Sequence, residues 1–93
     1  MNMNKKNLPG KIGRALDIPV NLIRGLPQLH VTGNREIFME GQKSILQYDE
    51  DIIKVSAKGM EVSFLGKDLS LRSLNSENIV IEGQIQEIQF QET

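Results

Sequence analysis

One histidine, no cysteine and twelve carboxylates are the side chains from which this 93-residue chain could build chemistry. The histidine, His30, is out of phase with Leu29 and Val31 in an alternating stretch, so it is expected on the face opposite to theirs. It has no cysteine with which to share a metal and no acidic neighbour in sequence to orient it as a base. It is a poor metal ligand or triad member on both counts. Asp49-Glu50-Asp51 concentrates negative charge, but calcium loops set their ligands at fixed spacings around a turn, and this run lacks that pattern. It reads as a solvated hairpin tip. Glu36, Glu40, Glu61, Glu82 and Glu87 are spread among alternating stretches as wet-face residues, and sequence alone pairs none of them for acid/base work. The serines and threonines fit neither a nucleophile elbow nor a phosphate loop. Gly10-Lys11-Ile12-Gly13-Arg14 has glycines and basic residues without a preceding strand or the phosphate-loop spacing. No catalytic residue, metal ligand or cofactor site is expected.

The charge pattern is more informative than the candidate chemistry. Residues 1–24 carry Lys5, Lys6, Lys11, Arg14 and Arg24 against Asp17, a net +4, whereas residues 25–93 carry a net −5. A basic arm joined to an acidic body can seek phosphate or an acidic protein surface, or can simply be solvated. Within the arm, Ile12, Leu16, Val20 and Ile23 recur at near-helical spacing, with Leu22 and Leu26 close to the same face. Pro19 fits the first turn of a short helix capped by Asp17 and stopped by Gly25 and Pro27. This basic amphipathic segment could lie on an anionic membrane or cover the sheet of its own chain. Lys11, Arg14, Leu16, Val20, Ile23 and Arg24 are therefore the candidate interaction residues.

From Leu29 onward the period changes to two. Ile53, Val55 and Ala57 alternate with Lys54 and Ser56, and Met60, Val62 and Phe64 with Glu61 and Ser63. Leu69 and Leu71 alternate with Ser70 and Arg72, and Ile79 and Ile81 with Val80 and Glu82. One wet face per strand favours antiparallel pairing. Turns are expected at Gly33-Asn34, Gly41-Gln42, Asp49 to Asp51, Lys58-Gly59, Gly66 to Asp68, Asn75 to Glu77 and Gly83-Gln84, which makes about eight short strands. No helix fits after Pro27. Gly33, Gly59 and Gly83 lie 26 and 24 residues apart, a loose unit that would suit a stacked solenoid. The fold class is all-β, either a sandwich or roll or a small β-solenoid. The division is a basic, partly flexible amphipathic segment over 1–26 and a β domain over 27–93.

Of the four aromatic residues, Phe64 and Phe90 fall on the alternation and are expected in the core. Phe38 and Tyr48 are out of step, facing a second layer, a partner or a two-sided core. An acidic body with so few aromatics does not suit nucleic acid, and none is expected as a partner. No signal peptide and no apolar run of about 20 residues is present, which suits a cytoplasmic protein.

Several short motifs occur in a telling order: Leu16-Asp17-Ile18-Pro19, Leu26-Pro27, Gly33, then Phe38-Met39-Glu40-Gly41 leading into Ser44-Ile45-Leu46. Gly66-Lys67-Asp68-Leu69-Ser70-Leu71 follows, and Ile81-Glu82-Gly83-Gln84-Ile85 with Ile88 and Phe90 closes the series. Over residues 15 to 90 this order resembles the YabP/YqfC family of sporulation proteins, and its YqfC-like branch more closely. Glu40-Gly41-Gln42 departs from the more polar Glu-Asn-His-like turn expected at that place. The resemblance implies a small protein of endospore-forming bacteria, made in the mother cell, whose relatives are linked to spore envelope or coat assembly. It also implies pairing with a membrane-associated sporulation protein, and it brings no catalytic residues. The expectation is a non-enzymatic structural or adaptor factor, cytoplasmic in the mother cell and at the forespore surface. Peripheral membrane contact through the N-terminal segment and homo-oligomer formation by sheet-edge pairing would suit that role. The alternatives are a small ligand-binding or enzymatic β domain of unknown substrate, and nucleic-acid binding through the arm alone.

Overall fold

The computed structural model describes residues 25–93, and these form six strands. They are β1 (Gln28–Thr32), β2 (Glu36–Glu40), β3 (Gln42–Tyr48), β4 (Ile52–Ala57), β5 (Met60–Leu74) and β6 (Asn78–Glu92). All neighbours are antiparallel, in one open sheet of order β1-β2-β6-β5-β4-β3. No helix occurs among the described residues. The amphipathic turns expected before Pro27 fall on residues outside the described range.

The sheet must curl, and a single glycine shows why. Only Gly41 separates β2 from β3, yet these strands stand second and sixth in the sheet. Four strand spacings on a flat sheet amount to about 19 Å, whereas one intervening residue reaches only about 7.6 Å. The connection therefore closes only if the sheet rolls until the two regions meet. Gly41 makes the corner with φ +90°, and a Cβ there would sit 3.2 Å from Pro27 Cα.

The roll is made by bending β5 and β6, which are 15 residues each. The ladder between them shifts register at Leu65/Gly66, Lys67/Ser70 and Leu71/Ser73. Within that stretch Asp68 has a φ of 54° and Gly83 a φ of 141°. At Gly66 an added Cβ would lie 1.9 Å from the carbonyl oxygen of Gln84, so only a glycine lets the strands approach there. One half of the sheet comprises β1, β2, the start of β6 and the end of β5. The other comprises β3, β4, the start of β5 and the end of β6.

The two halves share a core. Ile37, Met39, Ile79 and Ile81 come from the first half, and Ile53, Val55, Val62 and Phe64 from the second. All eight are fully buried in one cluster. Cross-strand pairs such as Ile37–Ile81 and Ile53–Phe64 stack these side chains on the same face. In β6, Ile81, Ile85 and Ile88 break strict alternation. The register moves from Leu65–Glu87 to Gly66–Ile85, so Gln86 is the extra residue and Ile88 returns to the core side.

Three expectations change. Eight strands become six, because Gly66 to Asp68 and Gly83-Gln84 are bends inside long strands, not turns between short ones. The stacked solenoid is excluded, since stacked coils pair in parallel and every ladder here is antiparallel. Phe90 lies opposite Val62 on the core side, as expected, but is 59% exposed where β6 runs past the cover of the other half.

Candidate functional site

Three features on the outside of the roll could meet another molecule. The first is the tip of the β3–β4 hairpin. Asp49, Glu50 and Asp51 border a shallow depression with Gly66, Lys67 and Asp68 from the bend of β5. The main chain explains the shape: Gly66 N–H donates to Asp51 O at 3.1 Å, and Leu69 N–H donates to Glu50 O at 2.8 Å. The tip is thus pinned to the bend as a structural contact, and the carboxylates point to solvent. Among the described residues, no group of His, Asp and Glu side chains is arranged to hold a metal ion.

The second feature is a short apolar strip on the outer face. His30, Phe38 and Val80 are consecutive cross-strand partners on β1, β2 and β6, each between residues that face the core. The His30 and Phe38 rings lie 5.8 Å apart, tilted by 52°. Val80 is buried although it faces outward. Beside this strip, Glu36 and Glu82 stand directly opposite one another and share Arg72. Its Nη1 reaches Glu82 Oε2 at 2.6 Å and its Nη2 reaches Glu36 Oε2 at 3.4 Å. Like charges facing across strands repel, and one guanidinium offsets both.

The third feature is the pair of outer strands. β3 runs in an irregular ladder with β4, shifting at Gln42/Ser44 and Ile45/Gln47. Its side chains reach the end of β5: Gln42 Nε2 donates to Asn75 O at 2.8 Å, and Leu71 N–H donates to Tyr48 Oη at 3.0 Å. β1, by contrast, pairs with β2 in an unbroken register.

Set against the sequence, His30 does lie on the face opposite to Leu29 and Val31, with its ring beside that of Phe38. Phe38 sits half-buried on the second face. Tyr48 lies opposite Ile53 on the core side, half-exposed, with its hydroxyl tied to β5. Lys11, Arg14, Leu16, Val20, Ile23 and Arg24 are outside the described residues. The outer strip was missed because Val80 was counted as the polar phase of an alternating strand. The unbroken run Ile79-Val80-Ile81 is the signal that both faces are apolar there.

The YabP family model matches residues 25–93, the stretch that carries all six strands. An uncharacterised protein, YqfC of Bacillus subtilis (strain 168), is 25% identical over 93 residues, covering 100% of both chains. No solved structure matches. With the family match running from the residues that enter β1 to the end of β6, the chain belongs to the YabP family.

Proposed function

We propose that this protein is a non-enzymatic sporulation factor that acts as a structural or adaptor component in spore envelope or coat assembly. The observation that carries this reading is the family match over the entire sheet, together with the resemblance to the YqfC-like branch. The architecture supports action through surfaces. The inside of the roll is filled by Phe64, Met39 and the β-branched residues around them, while the outer face and edges carry the accessible apolar groups.

The partner is a membrane-associated sporulation protein, and the protein works in the mother-cell cytoplasm at the forespore surface. Lys11, Arg14 and Arg24 supply positive charge for an anionic lipid or acidic protein surface. Leu16, Val20 and Ile23 supply the apolar contact. Each basic residue near an anionic membrane contributes about 1 kcal/mol, so their joint effect is enough to localise a small protein weakly and reversibly.

The test is a fluorescent fusion followed through sporulation in the source organism. A shell or cap around the forespore is expected, and it should fade when Lys11, Arg14 and Arg24 are replaced together by Gln. Diffuse signal at all stages, or synthesis confined to vegetative cells, would overturn the reading.

A further inference from the structure

Free edges in this sheet are guarded unequally. β3 has two register shifts and carries Lys43. β6 beyond Ile85 carries Glu87 and Glu92, and β5 beyond the reach of β4 carries Lys67, Asp68 and Arg72. Bulges and charges are the devices that keep edges from pairing. β1 has neither: Gln28, Leu29, His30, Val31 and Thr32 include no Lys, Arg, Asp, Glu or Pro and lie in an unbroken ladder with β2.

Two hydrogen bonds show which main-chain groups of β1 have no partner among the described residues. Arg35 N–H donates to Thr32 O at 3.1 Å, which turns the main chain of Thr32 toward β2. Gly83 N–H donates to Arg35 O at 3.1 Å, which turns Arg35 toward β6 and therefore Glu36, the partner of Thr32, toward β1. Bonding direction alternates along a strand. Thr32, His30 and Gln28 thus face β2, and Leu29 and Val31 present N–H and C=O to the open side.

We propose that β1 is a self-association edge, on which a second copy of this chain pairs antiparallel, with Leu29 opposite Val31 of the second copy. The register follows by elimination. Leu29 opposite its own copy would set Val31 against Pro27, which has no N–H. Val31 opposite its own copy would set Leu29 against Gly33, which is in the turn with φ +53°. The remaining register uses both free residues, each pair exchanging two bonds, and puts the twofold axis at His30.

Side chains agree with that register. Leu29 and Val31 lie on the core side, opposite Met39 and Ile37, and Val31 is 50% exposed in the single chain. Pairing sets each against the other's apolar surface. On the outer face the His30–Phe38 strip continues through the axis into its symmetry mate. A second copy is the occupant because the two outward residues, Leu29 and Val31, find their partners in the same strand of the copy, and β1 has no Lys, Arg, Asp or Glu to oppose that register. With five residues a side the contact is small, which places it among weak, reversible associations.

The 93-residue chain provides its own test, since it has no cysteine. His30→Cys should form a disulfide-linked dimer on mild oxidation. Residues directly opposed in a non-hydrogen-bonded pair have Cα atoms about 4.5 Å apart, inside the disulfide range of about 4.4–6.8 Å. Gln28→Cys and Thr32→Cys should each stay uncrosslinked alone and crosslink when mixed, because each faces the other across the axis. Val31→Pro removes an edge N–H that β2 does not use, so far-UV circular dichroism should be kept while sedimentation shows at least a tenfold loss of association. A folded His30→Cys chain that fails to crosslink would overturn the proposal, as would Gln28→Cys crosslinking alone. Leu29 and Val31 amides protected from exchange in the monomer would also overturn it, since the edge would then be occupied by the same chain. These outcomes are read on purified protein and leave the localisation result independent.

Discussion

The hydroxyl of Tyr48 accepts a hydrogen bond from the main-chain N–H of Leu71 at 3.0 Å, across 23 residues of sequence. It ties the outer strand of one half of the roll to the bent end of β5 in the other half. Gln42 makes the matching contact further along, donating to Asn75 O. The seam between the halves is thus closed by side chains where the β-ladder does not continue.

Removing that hydroxyl isolates its effect. Tyr48→Phe keeps the ring opposite Ile53 and leaves Leu71 N–H to water. A loss of about 1 kcal/mol is expected. Urea unfolding should show a lower midpoint with an unchanged slope, and the Leu71 amide should exchange faster with solvent. A midpoint equal to that of the parent chain would mean that the seam is held by Gln42 and packing alone.

Gly66 should tolerate less than Gly59. A Cβ at Gly66 would meet the Gln84 carbonyl at 1.9 Å and Ile85 Cα at 3.1 Å, and both neighbours are main chain in the central ladder. At Gly59 nothing lies within 4 Å, and only the positive φ of 71° opposes a side chain. Gly59→Ala is therefore expected to cost about 1–2 kcal/mol, and Gly66→Ala to prevent the folded state from accumulating. Expression yield and the thermal transition of the two variants would separate them. Equal behaviour would show that the strands can part at the bend without penalty.

This contrast also explains what could be read in advance. The alternation of Ile53, Val55, Val62 and Phe64 specified strands and their buried face, because a period of two has one structural meaning. The glycines were harder. Gly33 and Gly59 sit in turns as their sequence context suggests, whereas Gly66 and Gly83 permit two long strands to bend and approach. Both uses demand a missing Cβ, so sequence alone could not tell a turn from a bend, and two strands were divided into more. A turn at Gly41-Gln42 was legible, but that Gly41 alone separates β2 from β3 came only with the strand bounds. Its meaning, a roll, required the strand order. The outer strip depends on partners far apart in sequence, His30, Phe38 and Val80, so no local pattern announces it.

The core prediction follows from the burial of Phe64. It is fully buried at the centre of the second half, with Ile53 on one side and Ile88 on the other. Phe64→Ala should cost about 3–5 kcal/mol. That is comparable with the whole stability of a small domain, about 5–15 kcal/mol. A broad or absent thermal transition is expected, while Phe64→Leu should retain a cooperative one at lower temperature. A cooperative transition for Phe64→Ala within a few degrees of the parent would show that the roll is supported from elsewhere.

Arg72 offers a prediction of the opposite kind, a small effect with a definite signature. Glu36 and Glu82 face each other on β2 and β6, where opposed Cβ atoms stand about 4.5–5.5 Å apart. Arg72 is the cation between them, and all three side chains are more than one third exposed. Water screens such a cluster, so Arg72→Gln should cost less than about 1 kcal/mol. What remains after the substitution is repulsion between two carboxylates, and added salt should relieve it. Unfolding midpoints compared at 0.01 M and 1 M salt should converge between parent and variant, because the Debye length falls from about 30 Å to about 3 Å. Arg72→Gln in a Glu36→Gln background should cost less still, since no carboxylate pair is left. A loss above about 2 kcal/mol that salt does not change would assign Arg72 a packing role on the outer face that its exposure does not suggest.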